Sequence, residues 1–211
     1  MPTSKLDHIV VTAPNLKVGV QWVRDALGAT AELGGGHTSM GTHNCLLKLG
    51  EASYLEVIAP NPNASKPERA RWFALDRLKR DSPPRLAAWV ARTQDIRSAH
   101  AACGDLLGKI EPMNRGELNW SIAFPEGGQL PLDGIAPMLI EWPPNVHPVS
   151  RMRETGCSLL LLEGFHPDPA RISAVLESIG FEGEMRVRES GGSHLVAHIR
   201  TRDGVKRLGG E

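Results

Sequence analysis

The spacing of apolar and polar positions along the chain changes several times, and each change marks an element. Leu6 to Ala13 (LDHIVVTA) is a short β-branched run closed by Pro14-Asn15, as expected of a strand. From Leu16 the spacing becomes helical: Leu16, Val20, Val23 and Leu27 recur on one face. Asn15 is placed to cap this helix, and Gly28 suits the position after it that needs positive φ. Strand patterns return at Ala29–Leu33, Thr42–Leu49 and Ser53–Ala59, with Gly34-Gly35-Gly36 breaking the first and Gly50-Glu51 joining the other two. The first sixty residues therefore read β-α-β-β-β.

The order then repeats. Ser65-x-x-Glu68 is a capping-box pattern, and Trp72, Leu75 and Leu78 give an apolar face, so the spacing predicts a connecting helix over Ser65–Arg80, stopped by Ser82-Pro83-Pro84. Strand, helix and three strands follow at Leu86–Thr93, Asp95–Cys103, Lys109–Met113, Leu118–Phe124 and Pro137–Trp142. Leu6–Val10 aligns with Leu86–Val90, Gly41-Thr42-His43-Asn44 with Gly116-Glu117-Leu118-Asn119, and Leu55-Glu56 with Ile140-Glu141. Their common order is the argument for a repeat. A partial third copy, β-α-β-β, begins with Ser158–Leu162. Asp168-Pro169 opens its amphipathic helix, and strands follow near Met185–Glu189 and His194–Arg200. The expected fold class is α+β. The expected organisation is a first unit over 1–62, a linker helix within 63–84, a second unit over 85–146 and the partial unit over 147–211.

Composition narrows the function. Lys+Arg and Asp+Glu both number 24, so no net positive charge is available to neutralise phosphates, and a general nucleic-acid binder is not expected. Three widely spaced cysteines with no Cys-x-x-Cys exclude a zinc ribbon and fit reduced thiols in a cytoplasmic protein. The longest apolar run, near residue 160, is far below the roughly 18–20 residues that span a bilayer, so no membrane partner is expected. There is no Gly-x-Ser-x-Gly, no Walker motif and no dinucleotide fingerprint.

The opening LDHIVVTAPNL, the segment GGGHTSMGTHNCLLKLG and the strand SYLEVIAPNP resemble the glyoxalase-like branch of the vicinal oxygen chelate superfamily. The resemblance is clearest over residues 6–60 and extends to about 145 with the second unit. It implies paired βαβββ modules curled into an incomplete barrel around one cleft, with ligands for a divalent ion on the first and last strands of each module. Those positions are His8 and Glu56, then Ala88 and Glu141. Alanine cannot ligate, so His8, Glu56 and Glu141 remain. One imidazole and two carboxylates suit Mn²⁺, Fe²⁺ or Zn²⁺ and leave room for substrate oxygens.

The implied activity is that of a metal-assisted lyase, isomerase or dioxygenase acting on a small oxygen-rich metabolite, with Glu141 and His37 as candidate catalytic groups. Ala88 at a ligand position supports the alternative, a metal-free module that sequesters a small molecule in the same cleft. His37 follows three glycines that allow close approach of a ligand, which makes it the candidate proton shuttle. Alternation lets only one of His43 and Asn44 face the cleft. Asn119 occupies the matching place in the second unit, so Asn44 and Asn119 are the expected hydrogen-bonding groups, and Trp89 is a candidate pocket wall. His194 and His198 share a strand face and read as surface or lining residues. The expected assembly is a monomer or homodimer.

Overall fold

Each β-α-β-β-β unit must bury one face of its strands, and the two units do so in a single sheet. The first comprises β1 (Ser4–Thr12), α1 (Leu16–Leu27), β2 (Glu32–His37), β3 (Thr42–Lys48) and β4 (Tyr54–Pro60). The second comprises β5 (Arg85–Thr93), α2 (Ile96–Cys103), β6 (Lys109–Arg115), β7 (Leu118–Phe124) and β8 (Met138–Glu141). In the computed structural model, which describes residues 2–210, the eight strands form a curled half-barrel in the order β2-β3-β4-β1-β5-β8-β7-β6. The cap signals act as the sequence dictates: the Asn15 side chain accepts from the Val18 amide at 3.0 Å, and Gly28 ends α1 at φ +70°.

At the sheet centre β1 and β5 run antiparallel with Ile9 opposite Trp89, and each is flanked in parallel by the last strand of its own unit. An approximate twofold axis at this pair carries His8 onto Ala88 and Val10 onto Val90. Both strands are bulged at equivalent places. Leu6 pairs with Ala91 and His8 with Val90, leaving Asp7 over; Val10 pairs with Ala88 and Val11 with Leu86, leaving Ala87 over. Strand residues normally alternate faces, but an extra residue lets two neighbours share one. Leu6 accordingly packs with Ile9 and Val11 on the convex side, whereas Asp7 and His8 both turn into the concave side.

The convex face is the main core, with Ile9, Val57, Trp89 and Leu139 packed under the helices and the C-terminal unit. Trp89, the candidate pocket wall, belongs here: it follows Ile9 rather than His8, is fully buried, and packs against Phe181 at 5.0 Å. The concave face carries a second cluster of Val10, Ile58, Val90, Ile122, Met138 and Ile140. Trp72, Phe73 and Leu75 fill it from the connecting segment. That segment is not the helix its spacing predicts; only Leu75–Arg77 form a 3₁₀ turn. Phe73 and Ala74 take φ of 54° and 53°, and the Ala74 amide donates to the Gly128 carbonyl at 2.7 Å. Burying three large side chains in the sheet's hollow outweighs the modest helix preference of their neighbours.

Gly34–Gly36 do not interrupt β2. The backbone pairs through them, Gly35 with Asn44 and Gly36 with His43, with a register shift beside Gly34. The C-terminal unit has β9 (Ser158–His166), α3 (Pro169–Ser178), β10 (Met185–Glu189) and β11 (His194–Thr201), and gains a further strand, β12 (Gly204–Gly209). Its sheet runs β10-β9-β11-β12. On it His198 donates to Glu163 at 2.6 Å and His194 stacks on Phe165 at 4.4 Å, both away from the half-barrel's hollow. Cys45, Cys103 and Cys157 are free thiols, and no described helix is long and apolar enough to cross a membrane.

Trp89 tests the packing at the twofold axis, because its indole also donates to the Ile135 carbonyl at 2.9 Å. Trp89→Phe orphans that buried acceptor and is expected to lower unfolding free energy by about 1–3 kcal/mol. Trp89→Ala adds a cavity and should cost about 3–5 kcal/mol by urea denaturation. A loss below about 1 kcal/mol for the alanine variant contradicts this placement.

Candidate functional site

The bulge in β1 fixes the first two groups. Asp7, with no exposed surface, accepts from His8 Nδ1 at 2.6 Å, from His147 Nε2 at 3.0 Å and from Trp142 Nε1 at 3.0 Å. Burial alone pushes its carboxyl up, but the hydrogen bonds from His147 and His8, with their charge, hold it well below the usual carboxylate range. An ionised Asp7 only accepts, so His8 carries its proton on Nδ1 and presents Nε2 to the cleft. Tyr54 stacks on the His8 ring at 4.6 Å and keeps it in this plane.

Glu56 comes from β4, directly beside Val10, and faces the same hollow. Its Oε2 lies 3.6 Å from His8 Nε2, and its Oε1 accepts from the Asn44 amide at 2.5 Å. Asn44 is thus turned inward on β3, fully buried, and its own Oδ1 has no hydrogen-bond partner. His37 stands at the end of β2, pairs with Thr42 Oγ1 at 3.1 Å, and meets Trp72 and Trp120 edge-on at 5.0 and 6.0 Å. His8, His37, Tyr54 and Glu56 line one narrow, nearly filled cleft of about 20 Å³, walled by Trp72, Phe73, Trp120 and Trp142.

Two expected members lie elsewhere. Glu141 shares the convex side with Leu139, and its Oε2 accepts from the Ile96 amide at 2.7 Å, the first turn of α2. A carboxylate there satisfies an amide that the helix leaves open and complements the helix dipole. Asn119 is exposed, donates to the Glu117 carbonyl at 3.1 Å, and lines a surface groove outside the cleft. The twofold explains the first case. Glu56 pairs across from Val10, and Val90, the mate of Val10, pairs with Met138. Met138 therefore holds the place of Glu56, and Ala88 that of His8; both are buried and apolar.

The donor set can be tested against a divalent ion on these grounds. The first unit offers His8 Nε2 and Glu56; the matching corners offer a methyl group and a thioether. Among the described residues no three His, Cys, Asp or Glu side chains converge as ligands. The residues present do not fit the ion site that the resemblance implies. What they do form is an imidazole oriented by a buried carboxylate, with a second carboxyl beside it in water-poor surroundings. Such a set moves protons. The residues missed by sequence reasoning are Asp7, Trp142 and His147. Strict alternation sends Asp7 away from His8, and His147 lies 140 residues from Asp7, so only the bulge and the fold bring them together.

Comparison with known proteins agrees with this architecture. A profile of the glyoxalase-like domain matches residues 6–180, and no curated protein matches the sequence. A hypothetical protein from Staphylococcus aureus has the same fold, with a TM-score of 0.63 at 14% identity over 90% of this chain and 87% of that one. Methylmalonyl-CoA epimerase from Streptomyces coelicolor, in complex with 2-nitronate-propionyl-CoA, gives 0.44 at 18% identity over 67% and 96%. The epimerase from Mycobacterium tuberculosis gives 0.40 at 20% over 66% and 88%. Since the matched region takes in both barrel units and extends to the end of α3, the chain belongs to the glyoxalase-like domain family.

Proposed function

We propose that the cleft is an active site for proton transfer at carbon, acting next to a carbonyl of a small oxygen-rich metabolite, with isomerisation or elimination as the outcome. The observation that carries the reading is His8, hydrogen-bonded behind by Asp7 and standing 3.6 Å from Glu56 Oε2, with His8 and Glu56 facing one cleft. His8 Nε2 takes the proton as the C–H bond breaks, and the electron pair passes into the carbonyl as an enolate. Asp7 stabilises the imidazolium that forms, as a carboxylate does behind any catalytic histidine. Glu56, held by Asn44, takes that proton from the imidazolium beside it and returns it to carbon or to the departing group, which leaves both residues as they began. The lyase and isomerase chemistry of the glyoxalase-like group is retained in this reading, with the protein's own acid and base in place of a four-ligand ion.

Two neutral groups complete the cleft. Burial and the nearby carboxylates of Asp7 and Glu56 push the Tyr54 phenol well above its ordinary value, so it stays protonated. His37 is lowered from 6.5 to about 3, first by burial and then by the charge of Arg115. At neutral pH it is an uncharged imidazole, able to hydrogen-bond a substrate oxygen but not to bring a charge of its own.

The reading is tested by deuterium wash-in. Protein freed of divalent ions is incubated in D₂O with a panel of α-hydroxy acids, α-keto acids and β-dicarbonyl compounds, and loss of the α-proton is followed by ¹H NMR. Catalysed exchange of at least one compound is expected, falling by about 10²–10⁴-fold in His8→Gln and in Glu56→Gln. Saturable binding with no exchange assigns the cleft to sequestration instead, and exchange that appears only on adding a divalent ion contradicts the metal-free reading.

His37 yields a second expectation. Its folded pKa is depressed, so its contribution to stability is complete above about pH 6.5 and is lost as pH falls towards about 3. Relative to wild type, His37→Gln should flatten the acid limb of the stability curve, recovering about 2 kcal/mol at pH 5 compared with pH 8. Parallel curves for the two proteins, measured by urea denaturation, contradict a buried neutral His37.

A further inference from the structure

One lining side chain of the cleft, Arg115, also lines a much larger groove. This groove, of about 750 Å³, runs along the glycine segment of β2, the β6–β7 turn, Pro148–Cys157 and the turn after β11. β2 and β6 are the two free edges of the curled sheet, and the curl brings them together at this point. Arg115, the last residue of β6, lies across Gly35 at the meeting of cleft and groove.

The glycines make this possible. A Cβ at Gly35, where φ is +151°, stands 3.0 Å from Arg115 Cδ and 3.2 Å from Cγ. A Cβ at Gly34 stands 2.3 Å from Asn44 Oδ1. The run Gly34-Gly35 thus leaves room for two side chains, Asn44, which holds Glu56, and Arg115. Its place in the sequence suggests a turn, but its effect is to clear the rim of the cleft.

No carboxylate among the described residues pairs directly with Arg115, although Glu56 lines the same cleft. Arg69, Arg71, Arg153 and Arg188 each reach a carboxylate, and Lys48, also on the groove, is paired with Glu154. Among the described residues Arg115 forms no ion pair and donates no hydrogen bond, although it is half-buried. Arg151 and Arg202 also line the groove, together with the carboxyl groups of Glu32, Glu117, Glu154 and Asp203. A planar guanidinium fork held without a partner in a partly dry cleft matches the two oxygens of a carboxylate or a phosphate.

We infer that Arg115 is an anion-binding residue, holding the carboxylate or phosphate of a small anionic substrate where the cleft opens into the groove. In the part that concerns catalysis this rests on the proton-transfer reading: the anion docks on Arg115 while the carbon to be deprotonated lies against His8 and Glu56. The anion site itself stands on the geometry of Arg115 and Gly35.

Malonate and inorganic phosphate are the probes, with malonamide as the uncharged control. Binding is read by tryptophan fluorescence, since Trp72, Trp120 and Trp142 wall the cleft, and by calorimetry. At least one anion should bind saturably, and the stronger of the two identifies the source of the charge. Arg115→Gln should weaken that binding by about 10-fold or more, with partial recovery in Arg115→Lys, and malonamide should bind about 10-fold more weakly than malonate. Gly35→Ala, which crowds the arginine stem but keeps its charge, should weaken the anion as well. Because Arg115 has no partner to lose, the melting temperature of Arg115→Gln should match wild type. Undiminished binding to Arg115→Gln, equal binding of malonamide, or no anion binding at millimolar concentration overturns the inference. Arg115-dependent binding without deuterium exchange overturns the proton-transfer reading and leaves the anion site; exchange without anion binding does the reverse.

Discussion

The bulge at Asp7 is the constraint on which the site depends. In a regular strand Asp7 would point into the convex core, where a buried carboxylate would find no donors and would cost several kcal/mol. The extra residue turns it inward beside His8, where His8, His147 and Trp142 supply three donors. From that one local irregularity follow the ionised state of Asp7, the tautomer of His8 and the direction of Nε2. Loop Pro143–Pro148 is tied to the barrel by the same carboxylate, so the fold and the chemistry share an anchor.

The second consequence of the twofold is asymmetry of function within symmetry of backbone. β5 repeats the bulge of β1 at Ala87, and Ala88 and Met138 stand where His8 and Glu56 stand in the first half. The polar half carries the proposed chemistry, while the apolar half supplies a wall of Trp120, Ile122, Ile140 and Trp142. Within the glyoxalase-like family this chain keeps the barrel and one half of the ligand positions, and the proposed function makes that half an oriented base with a neighbouring acid.

Much of the frame was legible in the sequence because it is set by local rules. Asn15, Gly28 and Asp168 cap helices as their residue types require, and the repeat of β-α-β-β-β predicted the paired sheet. Alternation left one of His43 and Asn44 to turn inward, and Asn44 was chosen through Asn119, which is itself exposed; the mate of His8 followed from counting. Trp89 was legible on the same ground, since the mate of Ile9 must share its convex face, but an abundance of aromatic pocket walls suggested otherwise. Glu141 misled because the dipeptide Ile140-Glu141 matches Leu55-Glu56, whereas strand pairing aligns Glu56 with Met138. The connecting helix failed for a tertiary reason, the pull of Trp72, Phe73 and Leu75 into the hollow. Asp7 and Arg115 were beyond sequence reasoning: one needs a bulge, the other the approach of two sheet edges that are far apart in the chain.

The central claim is that the second half of the barrel contributes no ligand and that His8 serves as a base. The most direct measurement is a Mn²⁺ titration followed by the electron paramagnetic resonance of the free ion, comparing wild type with the double variant Ala88→His, Met138→Glu. The account predicts that wild type leaves Mn²⁺ free at stoichiometric concentration, and that restoring two ligands at the twofold-related corners tightens binding by about 100-fold or more. Tight, stoichiometric binding by wild type, lost on Glu141→Gln, would contradict it.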